Sequence, residues 1–157
     1  MRSDAIFSKD RNRKYRYILW RIWDETKPTV LFIGLNPSTA DETEDDPTIR
    51  KCINFAKTWG YGGIYMANIF AFRSTDPRKL YNEQDPVGSA NDSYIKEYSD
   101  RSELTIACWG NHGNFINRSG EVCNLVNSLY CLDINITGEP RHPLYVKHDT
   151  TPKPYTR

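Results

Sequence analysis

The sequence predicts an α/β fold of three layers, in which helices cover both faces of a central sheet of four parallel strands. Three apolar runs, "TVLFIGL", "GIYMANIFAF" and "ELTIACWG", predict buried strands because parallel strands are apolar on both faces. Segments with helical spacing separate these runs, and such alternation is typical of parallel sheets with right-handed crossovers. "YCLDIN" predicts the fourth strand. "DAIFS" and "KYRYILWRIWD" predict a β-hairpin at the edge of the sheet.

Length and composition favour a single domain over residues 1–157, with the hairpin in 1–28 and a Pro-rich C-terminal tail in 146–157. No apolar run is long enough to cross a bilayer, and the N-terminus lacks the apolar centre of a secretory signal. We therefore expect a soluble, cytoplasmic protein without a membrane partner. The charges nearly balance, with 21 Lys and Arg against 20 Asp and Glu, which argues against a strong nonspecific duplex binder. The basic cluster 9–21 is interpreted as a solvated edge.

The first helix has a clear start signal, with Asp46 as N-cap and Pro47 as its first residue. The apolar residues that follow recur at helical spacing as far as Gly60. "DPRKLYNEQDPVGSAND" predicts a loop with a short helix, and "DSYIKEYSD" and "NFINRSGEVCNLVNSL" predict the second and third long helices.

Four loops follow the predicted strands, and ligand sites of such sheets form at the carboxyl ends of the strands. These loops are residues 34–46, 68–73, 109–113 and 141–145. We therefore expect them to converge on one site.

The first loop, "GLNPSTADETEDD", offers an amide and a run of acids. The amide of Asn36 has no basicity at neutral pH, but its oxygen can hold a water molecule. An ordinary Asn-Pro turn is the alternative. The acids could bind Mg²⁺, but acids ahead of a helix are common partners of its dipole. The four cysteines lack zinc spacing, so the sequence predicts neither a metal nor a cofactor.

The second loop places Asn68 beside Phe70 and Phe72. An amide next to aromatic faces suits a planar heterocycle, because the rings stack on it while the amide binds its hydrogen-bonding edge. The alternative, which the sequence favours equally, is that both phenylalanines lie in the core and that Asn68 forms a turn.

The last two loops each carry a histidine. His112 could donate a hydrogen bond or transfer a proton, or it could cap the next helix. In "EPRHPLYV", which holds Arg141, His142 could donate to a developing anion and Leu144 could wedge into a base stack.

Two of these motifs resemble those of the uracil-DNA glycosylase superfamily. "GLNPS" after a buried strand is similar to the first motif of its mismatch-specific branch, and "RHPLY" resembles its C-terminal His-Pro-Ser motif, so the likeness spans residues 29–145. The whole chain resembles more closely a bacterial and phage family catalogued as a domain of unknown function, number sixteen forty-three. The strings that carry this second resemblance are "LNPSTAD", "DDPTIRKC", "WGYGG", "ANIFAFR", "DPVG", "WGNHG" and "RHPLY".

The glycosylase resemblance implies a nucleobase-recognising, metal-independent hydrolase of the N-glycosidic bond, acting on a modified or damaged base that is flipped out of the helix. It implies two catalytic residues, Asn36 to position water and His142 to stabilise the departing base. Phe70 or Phe55 would enclose the base. From the loops and the resemblance together, the predicted substrate-binding residues are Gly34, Leu35, Pro37, Ser38, Asn68, Phe70, His112, Arg141 and Leu144.

The expected partner is a nucleic acid, DNA rather than RNA, or a nucleotide, and no obligate protein partner is evident. Three alternatives stay open at this point. The chain could be a non-catalytic nucleotide-binding or nucleic-acid-binding module of the same fold, a hydrolase of a small nucleotide, or a metal-dependent phosphohydrolase that uses the acidic loop.

Overall fold

The computed structural model describes residues 1–156 and contains one mixed seven-stranded sheet with helices, as the α/β prediction requires. The strands are β1 (Arg2–Phe7), β2 (Arg16–Ile22), β3 (Thr29–Gly34), β4 (Gly63–Asn68), β5 (Leu104–Ala107), β6 (Tyr130–Cys131) and β7 (Lys153–Pro154). The helices are α1 (Pro47–Thr58), α2 (Asn91–Arg101) and α3 (Arg118–Leu125), with short 3-10 helices at Pro77–Asn82, Asn111–Asn117 and Pro143–Tyr145.

The strand order is β1-β2-β4-β3-β5-β6-β7. Three neighbouring pairs, β4–β3, β3–β5 and β5–β6, run parallel. The predicted N-terminal hairpin is present as β1 and β2, and β2 joins β4 in antiparallel fashion. After β3 the chain forms β4 on one side of β3, and it then returns to form β5 on the other side of β3. The carboxyl ends of β3 and β5 therefore flank the switch point, where open α/β sheets bind ligands.

Side-chain alternation along β3 divides the core into two clusters. Val30 and Phe32 pack with α1, whereas Leu31 and Ile33 pack with α2 and α3, and all four side chains are fully buried. The sheet therefore lies between α1 on one face and α2 with α3 on the other. This arrangement is the one that right-handed crossovers produce.

Helix α1 begins where its sequence signal predicts. The Asp46 carboxylate accepts the Ile49 N–H at 2.9 Å, and Pro47 opens the first turn. This cap satisfies one of the backbone donors that a helix start leaves without a partner. No helix among the described residues has the length and apolar character needed to span a bilayer.

The C-terminal segment differs from the predicted tail. Strand β7 pairs with β6 at the far edge of the sheet. It contains Pro154, and an edge strand tolerates proline because one side of it needs no backbone donor. Tyr155 is 5% exposed, donates its hydroxyl to the Gly138 carbonyl at 2.9 Å and meets the Trp109 ring edge-on at 6.2 Å. The fourth predicted strand is also shorter than expected, because β6 covers only Tyr130–Cys131.

We predict that Tyr155→Ala lowers the free energy of unfolding by about 3 kcal/mol, since a buried aromatic side chain leaves a cavity when it is truncated. Urea denaturation followed by circular dichroism measures this loss. Tyr145→Ala is the matched control, because Tyr145 is 77% exposed and its truncation should change stability by less than about 0.5 kcal/mol. Equal stability of Tyr155→Ala and the wild type would show that the tail does not support the fold.

Candidate functional site

A cavity of about 620 Å³ lies at the carboxyl ends of β3, β4 and β5. This volume is within the usual range for small-molecule sites. All four predicted loops contribute to its wall. Of the predicted site residues, the following line it: Gly34, Leu35, Asn36, Pro37, Ser38, Asn68, His112, Arg141 and His142.

The Asn36 side chain has a fixed orientation. Its Nδ2 donates to the Ser74 carbonyl at 2.9 Å, with longer contacts to the carbonyls of Pro37 and Phe72. The amide nitrogen is therefore used by the backbone, and no donor among residues 1–156 engages Oδ1. Asn36 consequently presents a hydrogen-bond acceptor in the wall of the cavity, where a water molecule or a ligand N–H can bind it.

Asn68 presents the opposite polarity. It is 3% exposed, and its Oδ1 accepts from the Arg16 guanidinium at 3.3 Å. Its Nδ2 has no acceptor in the described part of the chain and is left as a donor at the cavity. Gly34 makes this placement possible, because a Cβ there would lie 2.9 Å from Asn68 Nδ2 and 2.9 Å from Met66 Cε.

His142 is held in one tautomer. Its Nδ1 accepts the Leu144 N–H at 3.2 Å, so in the neutral ring the proton is on Nε2. Burial lowers the pKa of His142 below its ordinary value of 6.5, and the negative charge of Asp46 opposes that shift in part. At neutral pH the ring is therefore an uncharged donor through Nε2.

The other two predicted polar residues are more exposed and are held by neighbours. The His112 Nδ1 lies 2.9 Å from the Tyr81 hydroxyl. The Arg141 Nε donates to Asn135 Oδ1 at 3.1 Å, and its guanidinium lies 3.6 Å from Asp133. Both side chains belong to the rim of the cavity.

Residues 16–144 match the model of a protein family described as a protein of unknown function, DUF1643. The chain belongs to this family. No curated protein and no solved structure matches it. The DUF1643 description states no reaction, so the function of the cavity must be argued from its own chemistry.

Two predicted substrate contacts are corrected by this DUF1643 structure. Phe70 is fully buried in the core, where its ring packs against Phe115 at 5.8 Å, and it does not line the cavity. Phe55, the alternative stacking residue, is 1% exposed and stacks on Trp59. Both lie in the apolar layers that flank the sheet, so neither can stack on a bound base.

The residue predicted to wedge into a base stack does not line the cavity, but the residue that follows it does. Leu144 is 45% exposed but lies outside the cavity wall, whereas Tyr145, which follows it, lines the wall. The Tyr145 ring lies 5.9 Å from that of His142 and is 77% exposed. The cavity wall thus contains Tyr145, whose aromatic side chain is exposed, and Trp109, whose aromatic side chain is buried.

The acids of the first loop serve the fold. Asp41 accepts backbone N–H groups of its own turn, Glu42 pairs with Arg13 at 2.6 Å, and Asp45 pairs with Arg21 at 2.8 Å. Asp46 caps α1 and also lines the cavity. Among residues 1–156 there is no group of three or more His, Cys, Asp or Glu side chains arranged to hold a metal ion.

Sequence reasoning missed Arg16, which lies at the cavity and is 2% exposed. Its guanidinium donates to the Ala40 carbonyl at 3.0 Å and to Asn68, while Nε has no partner. Burial lowers its pKa to about 10, so it stays charged at neutral pH. The signal in the sequence is the presence of two arginines, Arg16 and Arg21, in the otherwise largely apolar strand "RYILWRI".

The cavity can hold a water molecule, donate to a planar ligand and stabilise negative charge. It does not supply a thiolate nucleophile, because burial raises the pKa of Cys108, a cavity residue, far above neutral pH. Covalent catalysis through the sulfur of Cys108 is therefore outside the chemistry that the cavity supplies at neutral pH.

The two buried arginines of β2 should respond differently to substitution. Arg21→Met removes the partner of Asp45 and of three backbone carbonyls, and we expect a loss of about 3 kcal/mol in unfolding free energy. Arg16→Met removes a buried charge that has no carboxylate partner. We therefore expect its unfolding free energy to stay within about 1 kcal/mol of wild type. Urea denaturation of both variants measures the contrast, and equal losses would contradict the unpaired state of Arg16.

Protonation of His142 should destabilise the fold. The folded-state pKa is below the unfolded value, so the unfolded chain binds the proton more readily. The free energy of unfolding should fall as the pH drops from about 6.5 towards the lowered pKa and level off below it. Denaturation curves of wild type and His142→Gln measure this, and the variant should lose that contribution. If the unfolding free energy of the variant depends on pH as that of the wild type does, the effect arises from a group other than His142.

Proposed function

We propose that this DUF1643 protein recognises a nucleobase and hydrolyses its N-glycosidic bond without a metal ion. One observation carries the proposal. The acceptor of Asn36, the donor of Asn68 and the uncharged ring of His142 line the same cavity at the sheet's switch point. Together they supply a water-holding group, a group that binds a heterocycle edge and a donor for a leaving base.

The reaction breaks the bond between the anomeric carbon and the base nitrogen. The bonding electrons leave with the base, and the sugar passes through an oxocarbenium-like state. A water molecule held by Asn36 Oδ1 adds to the anomeric carbon and gives up a proton to the departing base or to solvent. The amide acts by orientation, since it cannot accept that proton itself.

His142 would stabilise the departing base as it gains negative charge. A neutral imidazole with its proton on Nε2 can donate to an oxygen of the base without introducing a buried cation. Burial and the Leu144 N–H favour this state. Asn68 would bind another part of the base edge through Nδ2, and Tyr145 offers an aromatic face in place of Phe70.

The resemblance to the uracil-DNA glycosylase superfamily supports the proposal from the sequence side. "GLNPS" follows β3, and "RHPLY" supplies His142 to the same cavity. A DNA base would need to be flipped into the cavity, whereas a nucleotide could enter directly.

A non-catalytic module that binds nucleotides is the second candidate, and the contacts of Asn36 favour it. Its Nδ2 joins the first loop to the Ser74 carbonyl, which is a sufficient structural reason for an Asn at this position. Under this reading the cavity binds a base and releases it intact.

Asn36→Ala and His142→Gln should each lower kcat for base release by about 100-fold, the usual cost of removing a positioned group that acts in the transition state. Wild type and variants would be incubated with single-stranded and double-stranded oligonucleotides that carry modified or deaminated bases, and with free nucleotides. Alkaline strand cleavage and chromatography of the released base report the reaction, with and without EDTA.

Two controls accompany this assay. Asn12→Ala and His148→Gln change exposed residues outside the cavity and should leave base release unchanged. Release that survives Asn36→Ala would remove the water-positioning role, and release abolished by EDTA would contradict a metal-independent reaction. Nucleotide binding without any base release would favour the binding module.

A further inference from the structure

We propose that the cavity binds a phosphate group of its substrate against Arg16, and that the substrate is a nucleoside monophosphate. This inference rests on the proposed function for the base and sugar. The phosphate site itself rests on the buried charge of Arg16 and on the hydrogen-bond donors of the cavity.

Arg16 differs from the other two arginines that are nearly fully buried. Arg21 pairs with Asp45 at 2.8 Å, and Arg118 pairs with Asp92 at 2.5 Å and with Glu121 at 3.2 Å. Arg16 has no carboxylate within salt-bridge distance in residues 1–156. A buried guanidinium is costly unless an anion compensates it. Because Arg16 lines the cavity, a bound anion can provide that compensation.

Further donors line the cavity and make no hydrogen bond within the described chain. They are the hydroxyls of Ser38 and Thr48 and the backbone N–H of Ser38. Thr48 also belongs to the first turn of α1, a 12-residue helix whose N-terminal end carries partial positive charge. Groups of this kind donate hydrogen bonds to phosphate oxygens.

Charges of both signs surround Arg16. Of these, Asp46 has the largest effect on it and offsets its charge in part, as Asp41 does more weakly, whereas Arg73 and Arg21 add positive charge. Of these acids only Asp46 lines the cavity, and one of its oxygens is used by the cap of α1. Arg141 lies in the wall as well, but Asp133 already pairs with it.

The depth of Arg16 favours a terminal phosphate over a phosphodiester. At 2% exposure it is reached only from inside the cavity, and a phosphodiester carries a nucleotide on each side that would have to enter with it. The neighbouring loop holds five acids between residues 41 and 46, which repel a polyanion. A single nucleotide carries fewer charges past these acids and has no second nucleotide that must enter with it.

Isothermal titration calorimetry of matched ligand pairs tests this inference without requiring turnover. The probes are ribonucleosides and deoxyribonucleosides, their 5′-monophosphates and inorganic phosphate. In the wild type, the preferred monophosphate should bind about 10-fold to 100-fold more tightly than its nucleoside, as expected for charge-assisted hydrogen bonds. In Arg16→Met this ratio should fall to about one, and Arg16→Lys should retain part of it.

Arg118→Met is the matched control, because Arg118 is as deeply buried as Arg16 but lies on α3, outside the cavity wall. It should keep the preference for the phosphate at a temperature where the variant is folded. Thermal denaturation with inorganic phosphate gives a second readout, in which phosphate raises the Tm of the wild type and of Arg118→Met but not that of Arg16→Met.

The outcomes separate this inference from the proposed function. Equal affinity for nucleoside and monophosphate in the wild type, or a preference that persists in Arg16→Met, would overturn the phosphate site. Base release from oligonucleotides without any preference for monophosphates would support the proposed function and overturn this inference. A phosphate preference that depends on Arg16, without base release, would support the phosphate site and contradict the hydrolase.

Discussion

The candidate site depends on two guanidinium groups that β2 buries beneath the first loop. Arg21 donates to the carbonyls of Asp41 and Glu44, and Arg16 donates to the carbonyl of Ala40. These bonds fix the chain between β3 and α1, which has no regular structure of its own. From the other side, Asn36 bonds to Ser74 and closes the loop. The orientation of the Asn36 oxygen follows from this arrangement.

The opposite wall of the cavity depends on the C-terminal segment. Tyr155 meets Trp109 edge-on, and Trp109 donates its Nε1–H to Glu139 at 3.0 Å. Gly113 approaches Trp109 so closely that a Cβ would lie 2.1 Å from the indole. The wall that carries His142 is therefore built on aromatic packing and buried hydrogen bonds, whereas the Asn36 wall is built on charge.

Periodicity and cap signals predicted most of the fold, because buried strands and the Asp46-Pro47 helix start leave local patterns in the sequence. The convergence of the four loops followed from the strand order that such patterns imply. Burial of Phe70 and Arg16 could not be predicted in this way. Whether an aromatic ring packs inward, or a strand arginine turns under a neighbouring loop, depends on contacts between distant segments. Strand β7 escaped prediction for the same reason, since its pairing with β6 overrides a proline-rich sequence.

The proposed function requires that Asn36, Asn68 and His142 contact one and the same nucleobase. The most direct test records the side-chain amide signals of Asn36 and Asn68 and the His142 Nε2 signal by ¹⁵N NMR while nucleobases and nucleotides are titrated in. One ligand should shift all three signals with a single dissociation constant, while the signal of the exposed His148 stays unchanged. Binding that shifts other regions and leaves these three signals unmoved would contradict the proposed function.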